Sequence, residues 1–446
     1  MNTSFVNIIT FFKDEKDRNV EYLANVYKND QLLYKSVKDL LFSHFTGDSI
    51  KGKKILLKPN FVRENKNMQD DICLFTHPNL IYSTIKVLLE CRPSQIIIGD
   101  APIQDCNWDK MLSPEFFKTI NELSEMYDVP IKVLDFRKVV FNASKNKFGK
   151  SKRTEADYLI FDVGKRSCLE PITKEKNQFR VTNYDPDRMA KSHSVGMHKY
   201  CVAKEVFDAD IVITMPKSKT HRMACITNSL KILVGINGDK DYLPHHRIGS
   251  KSQGGDCYKD SSVLRIMAEC LLDFANRHRG TFYFLPVRII VSGLWRLSNP
   301  SKEISMNAGW YGNDTVWRMI LDLNTIAIYG KQDGTLANTP QRTLYTLCDA
   351  IVGGQGSGPL EPDPLALGML AFSNDPFLMD EVMGEIFGLN IQKVPLLREA
   401  SALNSKKLLK FILNGKSVEY NLIKELRTKV ELAPGWVNYN KNLHDL

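Results

Sequence analysis

Asp210-Ile211-Val212-Ile213-Thr214-Met215-Pro216-Lys217-Ser218-Lys219-Thr220-His221 is the stretch on which the fold turns. Its first half is an unbroken apolar run rich in β-branched residues. Without polar alternation, such a run predicts a strand buried on both faces, as in a parallel sheet. Its second half is abruptly cationic. In open parallel α/β sheets ligands bind beyond the carboxyl ends of the strands, so this junction predicts a site.

Similar junctions occur on both sides. Lys54-Ile55-Leu56-Leu57 runs into Lys58-Pro59-Asn60, and Gln95-Ile96-Ile97-Ile98 into Gly99-Asp100. Ile131-Lys132-Val133-Leu134 meets Asp135, Val287-Arg288-Ile289-Ile290-Val291 meets Ser292-Gly293, and Asp349-Ala350-Ile351-Val352 meets Gly353-Gly354. Each is read as a strand. Helical periodicity lies between them. Pro78 to Glu90 aligns Leu80, Ile81, Thr84, Ile85, Leu88 and Leu89, with Thr76 or His77 as the cap. Ser261 to His278 aligns Val263, Ile266, Met267, Cys270, Leu271 and Phe274 on one side. Asp375 to Phe387 is a third helix, capped by Asn374 and stopped by Gly388, and Ser405 to Leu413 a short fourth. Alternating strands and helices predict an α/β fold, a mainly parallel sheet flanked by helices. Residues 157–184 alternate more and are expected to form an antiparallel insertion. The stretch 238–260, rich in Gly, Asp, Ser and His, is expected to be a long loop near the site. At 446 residues the chain is read as one large α/β region, or as two lobes divided near 240–280.

Composition narrows the function classes. The hydrophobic share is 43% and the charged share 25%, as in ordinary globular chains. The net charge of +9 suits an anionic partner. The basic residues are spread along the chain, which argues against a dedicated nucleic-acid binder. The densest run, Lys145 to Arg153, reads as a solvated loop. The 9 cysteines include no CxxC pair, so no zinc ribbon or thioredoxin-type motif is present, and reduced thiols are expected. The first residues carry no basic n-region or cleavage site, and no run approaches the ~18 apolar residues of a spanning helix. A cytoplasmic protein without a membrane span is expected. Its oligomeric state is not readable.

The candidate site residues gather at strand ends. Lys217, Lys219 and His221 form a cationic group with the Thr220 hydroxyl beside it, and Thr227, Asn228 and Lys231 follow at what reads as a helix start, where free amides favour anions. Lys58, Asn60 and Asp100 close other strands. Each has a plainer reading, Lys58 as a surface lysine and Asp100 as a turn or cap. Gly353 to Pro359 could bring backbone amides close to a ligand, but it matches neither a P-loop nor a dinucleotide fingerprint, and an ordinary tight loop is its alternative. Expected catalytic residues are His221, His77, Lys217 and Asp100. Expected substrate contacts are Lys58, Asn60, Lys219, Thr220, Lys231, Gly356, Ser357 and Gly358. Asp100, Asp349, Asp380, His245 and His246 are the candidate ligands for a divalent cation, although no metal-spacing motif links the histidines.

Taken in order, several motifs resemble a known family. They are Lys58-Pro59-Asn60, Thr76-His77-Pro78, Gly99-Asp100, Met215 to His221, Leu230-Lys231 with Gly235, Trp317 with Asp322-Leu323-Asn324, Asp349 with Gly356-Ser357-Gly358-Pro359, and Asp380. The set is similar to the bacterial and archaeal family called domain of unknown function 362, over roughly residues 50 to 390. Some members carry ferredoxin-type cysteine clusters. This chain lacks those cysteines, so an iron–sulfur label does not carry over. A second, fainter resemblance is to the catalytic domain of nickel-pincer lactate racemases, where His221, Lys231 and His245 or His246 are the matching positions. Residues and resemblance together lead to an enzyme for a phosphate- or carboxylate-bearing small molecule, using Lys, His and Asp acid–base chemistry with or without a metal. The alternative is a non-catalytic metabolite- or cofactor-binding or maturation protein.

Overall fold

A computed structural model describes residues 3–65, 71–142, 147–298 and 307–440. Part of the basic run Lys145–Arg153 lies outside them. The architecture is mixed α/β, built on an 11-stranded sheet. Its strands, in chain order, are β1 (Ser4–Thr10), β2 (Lys54–Pro59), β3 (Gln95–Asp100), β4 (Ile131–Asp135), β5 (Ile211–Met215), β6 (Lys217–His221), β7 (Cys225–Thr227), β8 (Leu344–Gln355), β9 (Asp363–Ser373), β10 (Leu409–Leu413) and β11 (Lys416–Val418). The spatial order is β11-β10-β1-β9-β8-β5-β2-β3-β4, with β6 pairing to β7 and β8. From β8 to β4 the strands are parallel, whereas β9 runs antiparallel to both β8 and β1.

The parallel half follows from side-chain alternation between two apolar layers. On one face Ile55, Leu57, Ile96, Ile98, Ile211 and Ile213 pack against α2 (Asp30–Phe42), α3 (Pro78–Leu89) and α4 (Pro114–Tyr127). On the other, Leu56, Ile97 and Val212 meet Phe136, Tyr200 and α7 (Val316–Tyr329). Both sides of each strand are apolar because both sides are covered. Gly99 is required by one close approach: a Cβ there would stand 2.1 Å from the Phe136 ring. The antiparallel insertion extends beyond 157–184, because Tyr158–Asp162 pairs with Lys199–Ala203.

Two segments differ from the sequence reading. Val287–Val291, expected as a strand, lies within α6 (Phe284–Ser298), which packs against α5 (Val263–Arg277) as a helical hairpin. Ser405–Leu413, expected as a helix, follows α9 (Pro395–Asn404) and supplies β10. Its Leu409–Leu413 run pairs in parallel with β1 and gains a ladder that an isolated helix lacks. In addition, Asp375 rather than Asn374 caps α8 (Pro376–Ile386), accepting from the amides of Phe377 and Leu378.

The chain passes from β2 through β3 to β4, then returns to set β5 on the other side of β2. This reversal opens a crevice at the carboxyl ends of β2 and β5. The adjoining strand β6 is anchored from below. The Lys217 ammonium is buried 2.7 Å from Asp349 Oδ2 and donates to the Tyr27 hydroxyl at 2.9 Å and the Ile72 carbonyl at 2.9 Å. Tyr27, on α1 (Val20–Lys28), in turn donates to Asp349 Oδ1 at 2.5 Å, and the His77 amide donates to Oδ2 at 3.0 Å. Deleting one member of a buried ion pair leaves the other uncompensated, at a cost of about 3–5 kcal/mol. Urea unfolding of Lys217→Met is expected to show a loss of this size, and Lys217→Met combined with Asp349→Leu a smaller one.

Candidate functional site

Strand alternation aligns Lys217, Lys219 and His221 on one side of β6 and turns Ser218 and Thr220 to the other. Lys217 points into the network with Asp349. Lys219 donates to the carbonyls of Leu74 and, at 2.9 Å, Pro359. His221 reaches a cavity of about 340 Å³ lined also by Lys58, Asn60, Asp100, Lys219, Arg222, Lys231, Lys240, His245, Ser357 and Gly358. Val62, Ile103, Met223, Ile232, Val234 and Leu360 supply apolar wall. The cavity lies at the crevice where the strand order reverses.

Lys58 and Asp100 form its floor as a buried ion pair, Nζ to Oδ1 2.6 Å. Asp100 Oδ2 also accepts from the Phe61 amide at 2.7 Å, which ties the turn after β2 to the end of β3. Gly235 lies directly over this pair. A Cβ there would stand 1.9 Å from Asp100 Oδ1 and 2.6 Å from Lys58 Nζ. Burial pushes the Lys58 ammonium below its ordinary value, and Asp100 pulls the other way.

The remaining cations crowd one another. Lys219 is pushed down to about 7 by burial first, and by Lys217 and Lys231 as well. Lys231 is pushed to about 7 by burial, then by Lys240 and Lys58. Lys240 falls to about 8, mainly by burial, with Asp100 opposing. Such lysines switch charge near neutrality, and an anion among them would favour their protonated forms. The segment carrying Lys231 is clamped through Leu230: its amide donates to Asp380 at 3.2 Å, and its carbonyl accepts from Asn324 at 3.0 Å.

The two cavity histidines hold opposite tautomers. His221 Nδ1 lies 3.0 Å from the Met223 amide and 3.1 Å from the Ala224 amide. Both are donors, so Nδ1 accepts and the neutral ring carries its proton on Nε2. His245 Nδ1 lies 2.6 Å from the Leu243 carbonyl, which only accepts, so this ring is protonated at Nδ1 and Nε2 keeps a lone pair. Both rings are held neutral. Burial drives His221 far below its ordinary value, helped by Lys231 and Lys219. Burial, then Lys231 and Lys240, drives His245 to about 3, against the pull of the Leu243 carbonyl. One ring therefore offers a hydrogen-bond donor to the cavity and the other an acceptor.

Of the expected site residues, His77, Lys217, Thr220 and Gly356 lie outside the cavity lining. His77 caps α3, accepting at Nδ1 from the Asn79 amide at 3.1 Å, and stacks on Tyr27 with ring centroids 4.0 Å apart. Thr220 donates to the Gly356 carbonyl at 3.1 Å. The amides of Gly356 and Gly358 are already used, bonded to the carbonyls of Glu431 at 2.7 Å and Gly356 at 2.9 Å. Gly358 serves close packing, since a Cβ there would stand 2.0 Å from the Thr220 carbonyl. Of the cation-ligand candidates, Asp100 and His245 line the cavity. Asp349 is held by Lys217, Asp380 by the Leu230 turn, and His246 borders a separate hollow beside Arg180 and Glu269. Among the described residues, no three His, Cys, Asp or Glu side chains gather as a metal-binding group. Sequence reading missed Lys240 and Arg222. Lys240 lies between aspartates in a loop and carries no local signal beyond its nearness to Lys231.

None of the curated proteins matches the chain. A crystal structure of a Thermotoga maritima protein, a Northeast Structural Genomics Consortium target, is similar over 85% of this chain and 59% of that one, at 11% identity and a TM-score of 0.28. The chain thus spans less than two thirds of that protein. Residues 151–385 match the family described as Domain of unknown function (DUF362), a segment that includes Met215–His221, Lys231, Asn324 and Asp380. By that match over more than half its length, the chain belongs to the DUF362 family.

Proposed function

We propose that the chain is an enzyme acting on a small molecule that bears a phosphate or carboxylate group. The observation that carries this reading is the convergence of Lys58, Lys219, Lys231 and Lys240 on one cavity whose acidic lining, among the described residues, is Asp100, already paired with Lys58, and the exposed Glu361. A buried surplus of positive charge is costly without a counter-ion, and a bound anion offsets it. Lys231 and Lys240 hold the anion, Lys219 borders it, and the Lys58–Asp100 pair fixes the floor. His221 Nε2–H then donates a hydrogen bond to the reacting part of the substrate, and His245 Nε2 accepts one from it. The apolar wall holds the rest of the molecule. The free state of all nine cysteines supports a reducing compartment, and we place the protein in the cytoplasm.

Sulfate tests the anion reading, because its charge is constant between pH 6 and 9. At pH 6 the three lysines lowered to about 7, 7 and 8 are protonated in the free protein; above pH 8 most of that charge is gone. Calorimetric affinity for sulfate should therefore fall with rising pH, by about tenfold per pH unit for each linked proton. Proton uptake on binding should peak near pH 7–8. A pH-independent affinity would exclude the lysines as the binding groups.

Lys231→Met and Lys240→Met should each weaken sulfate binding by about tenfold, near the 1.4 kcal/mol expected for one charge-assisted contact. Circular dichroism should show an unchanged fold.

The histidine assignment has its own readout. Ring nitrogen resonances of His221 and His245 should show no titration between pH 5 and 8 in the free protein, with the proton on Nε2 in His221 and on Nδ1 in His245. Lys231→Met should move the His245 titration upward.

A further inference from the structure

The hairpin of α5 and α6 turns an apolar face outward. On α5 the exposed positions follow one helical stripe, Val263, Met267, Cys270 and Phe274, ending at Arg277. On α6, Leu285 is 64% exposed, Ile289 73% and Leu297 73%, with Ile290 beside them. At the turn between the helices Phe282 is 78% exposed, next to the exposed Tyr283. The opposite side of the hairpin is already satisfied: Ala268, Leu272, Val291 and Trp295 pack with Tyr258 and Trp310. The outer stripe is therefore a second apolar face on helices whose first is in use. An exposed patch of this extent marks a surface made to be covered.

Charge around the face selects what covers it. Arg296 stands within the stripe of α6, the half-buried Arg288 adjoins Ile289 and donates to Asn183 Oδ1 at 2.7 Å, and Lys259 precedes α5, whereas Arg277, which ends the α5 stripe, is paired with Asp187 at 3.0 Å. The acidic residues of the hairpin are largely withdrawn. Glu269 is buried and accepts from the Tyr258 hydroxyl at 2.8 Å, and Asp273 is paired with Arg180 at 2.9 Å. Asp260 stays exposed. Aromatic residues at the tip, aliphatic residues along both helices and flanking arginines are the pattern of an interfacial helix on an anionic leaflet. The helices have 15 residues each, about 22 Å, too short to span a bilayer. No helix among the described residues is long and apolar enough to cross a membrane.

We propose that the outer face of the α5–α6 hairpin seats this protein on an anionic lipid surface, with Phe282, Leu285 and Ile289 entering the headgroup boundary and the flanking Arg and Lys residues meeting the headgroups. The face includes Cys270, the exposed thiol among otherwise buried or half-buried cysteines, which makes a reporter available. The full chain should sediment with vesicles of phosphatidylserine and phosphatidylcholine in about a 1:2 ratio at least about tenfold more than with pure phosphatidylcholine, and added salt should weaken it. A polarity-sensitive fluorophore on Cys270 should shift to the blue on the anionic vesicles. Leu285→Glu with Ile289→Glu should abolish both signals while leaving Tm and sulfate binding unchanged, since both positions are exposed. Equal sedimentation with zwitterionic vesicles would overturn the proposal. So would failure to sediment, or a dimer in light scattering that the double substitution dissociates, which would mean that a second copy covers the face.

Discussion

An ammonium and a carboxylate buried together, Lys217 and Asp349, set the geometry on which the candidate site depends. Neither is tolerable alone in an apolar interior, so β6 cannot slide along β8 without exposing both to a low-dielectric surrounding. Strand periodicity does the rest. With Lys217 locked inward, Lys219 comes to the boundary and His221 to the cavity. A slip by one residue would turn Ser218 and Thr220 there instead. Tyr27 extends the lock to the N-terminal helices, because its hydroxyl bridges the two charges.

The cavity is the reverse case, a place where like charges are kept together. Their assembly is enforced by groups outside it. Asn324 and Asp380 grip the two sides of the Leu230 peptide, so Lys231 stays where repulsion alone would swing it away. Gly235 lets the same segment lie against the Lys58–Asp100 pair. Asn324 and Asp380 thus brace the segment that carries Lys231 without lining the cavity, and rigidity in the shell maintains an electrostatic imbalance at the centre.

Much of this was legible in the chain. The runs before Lys58, Asp100 and Lys217 read as strands because helices cover both sheet faces, leaving no polar alternation. Val287–Val291 has the same texture for another reason: it belongs to a helix with apolar residues on both its packed and its exposed sides, and a short apolar run does not reveal its period. Lys217 and Lys219 look alike in sequence, but the strand pleat, the Tyr27 hydroxyl and Asp349 divide them into an internal anchor and a cavity group. His77 was readable both as a cap and as a catalytic residue; it caps α3 through Nδ1, which accepts from the Asn79 amide. Lys240 was hidden because its importance arises from a loop returning over the sheet, and no local pattern encodes that return. The tautomers of His221 and His245 are set by backbone amides and a carbonyl, partners invisible until the chain is folded.

The strand β1 carries a consequence for how the protein is made. Val6 pairs with Ser373 on one side and Phe411 on the other. A ribosome adding about 5–20 residues each second needs roughly 20–80 seconds to reach those partners. Throughout that interval the first strand leaves the tunnel with both its edges unmet. The sheet cannot close around β1 until both of these partners have been made, and the nascent protein must keep an apolar, ladder-ready segment from pairing elsewhere until then.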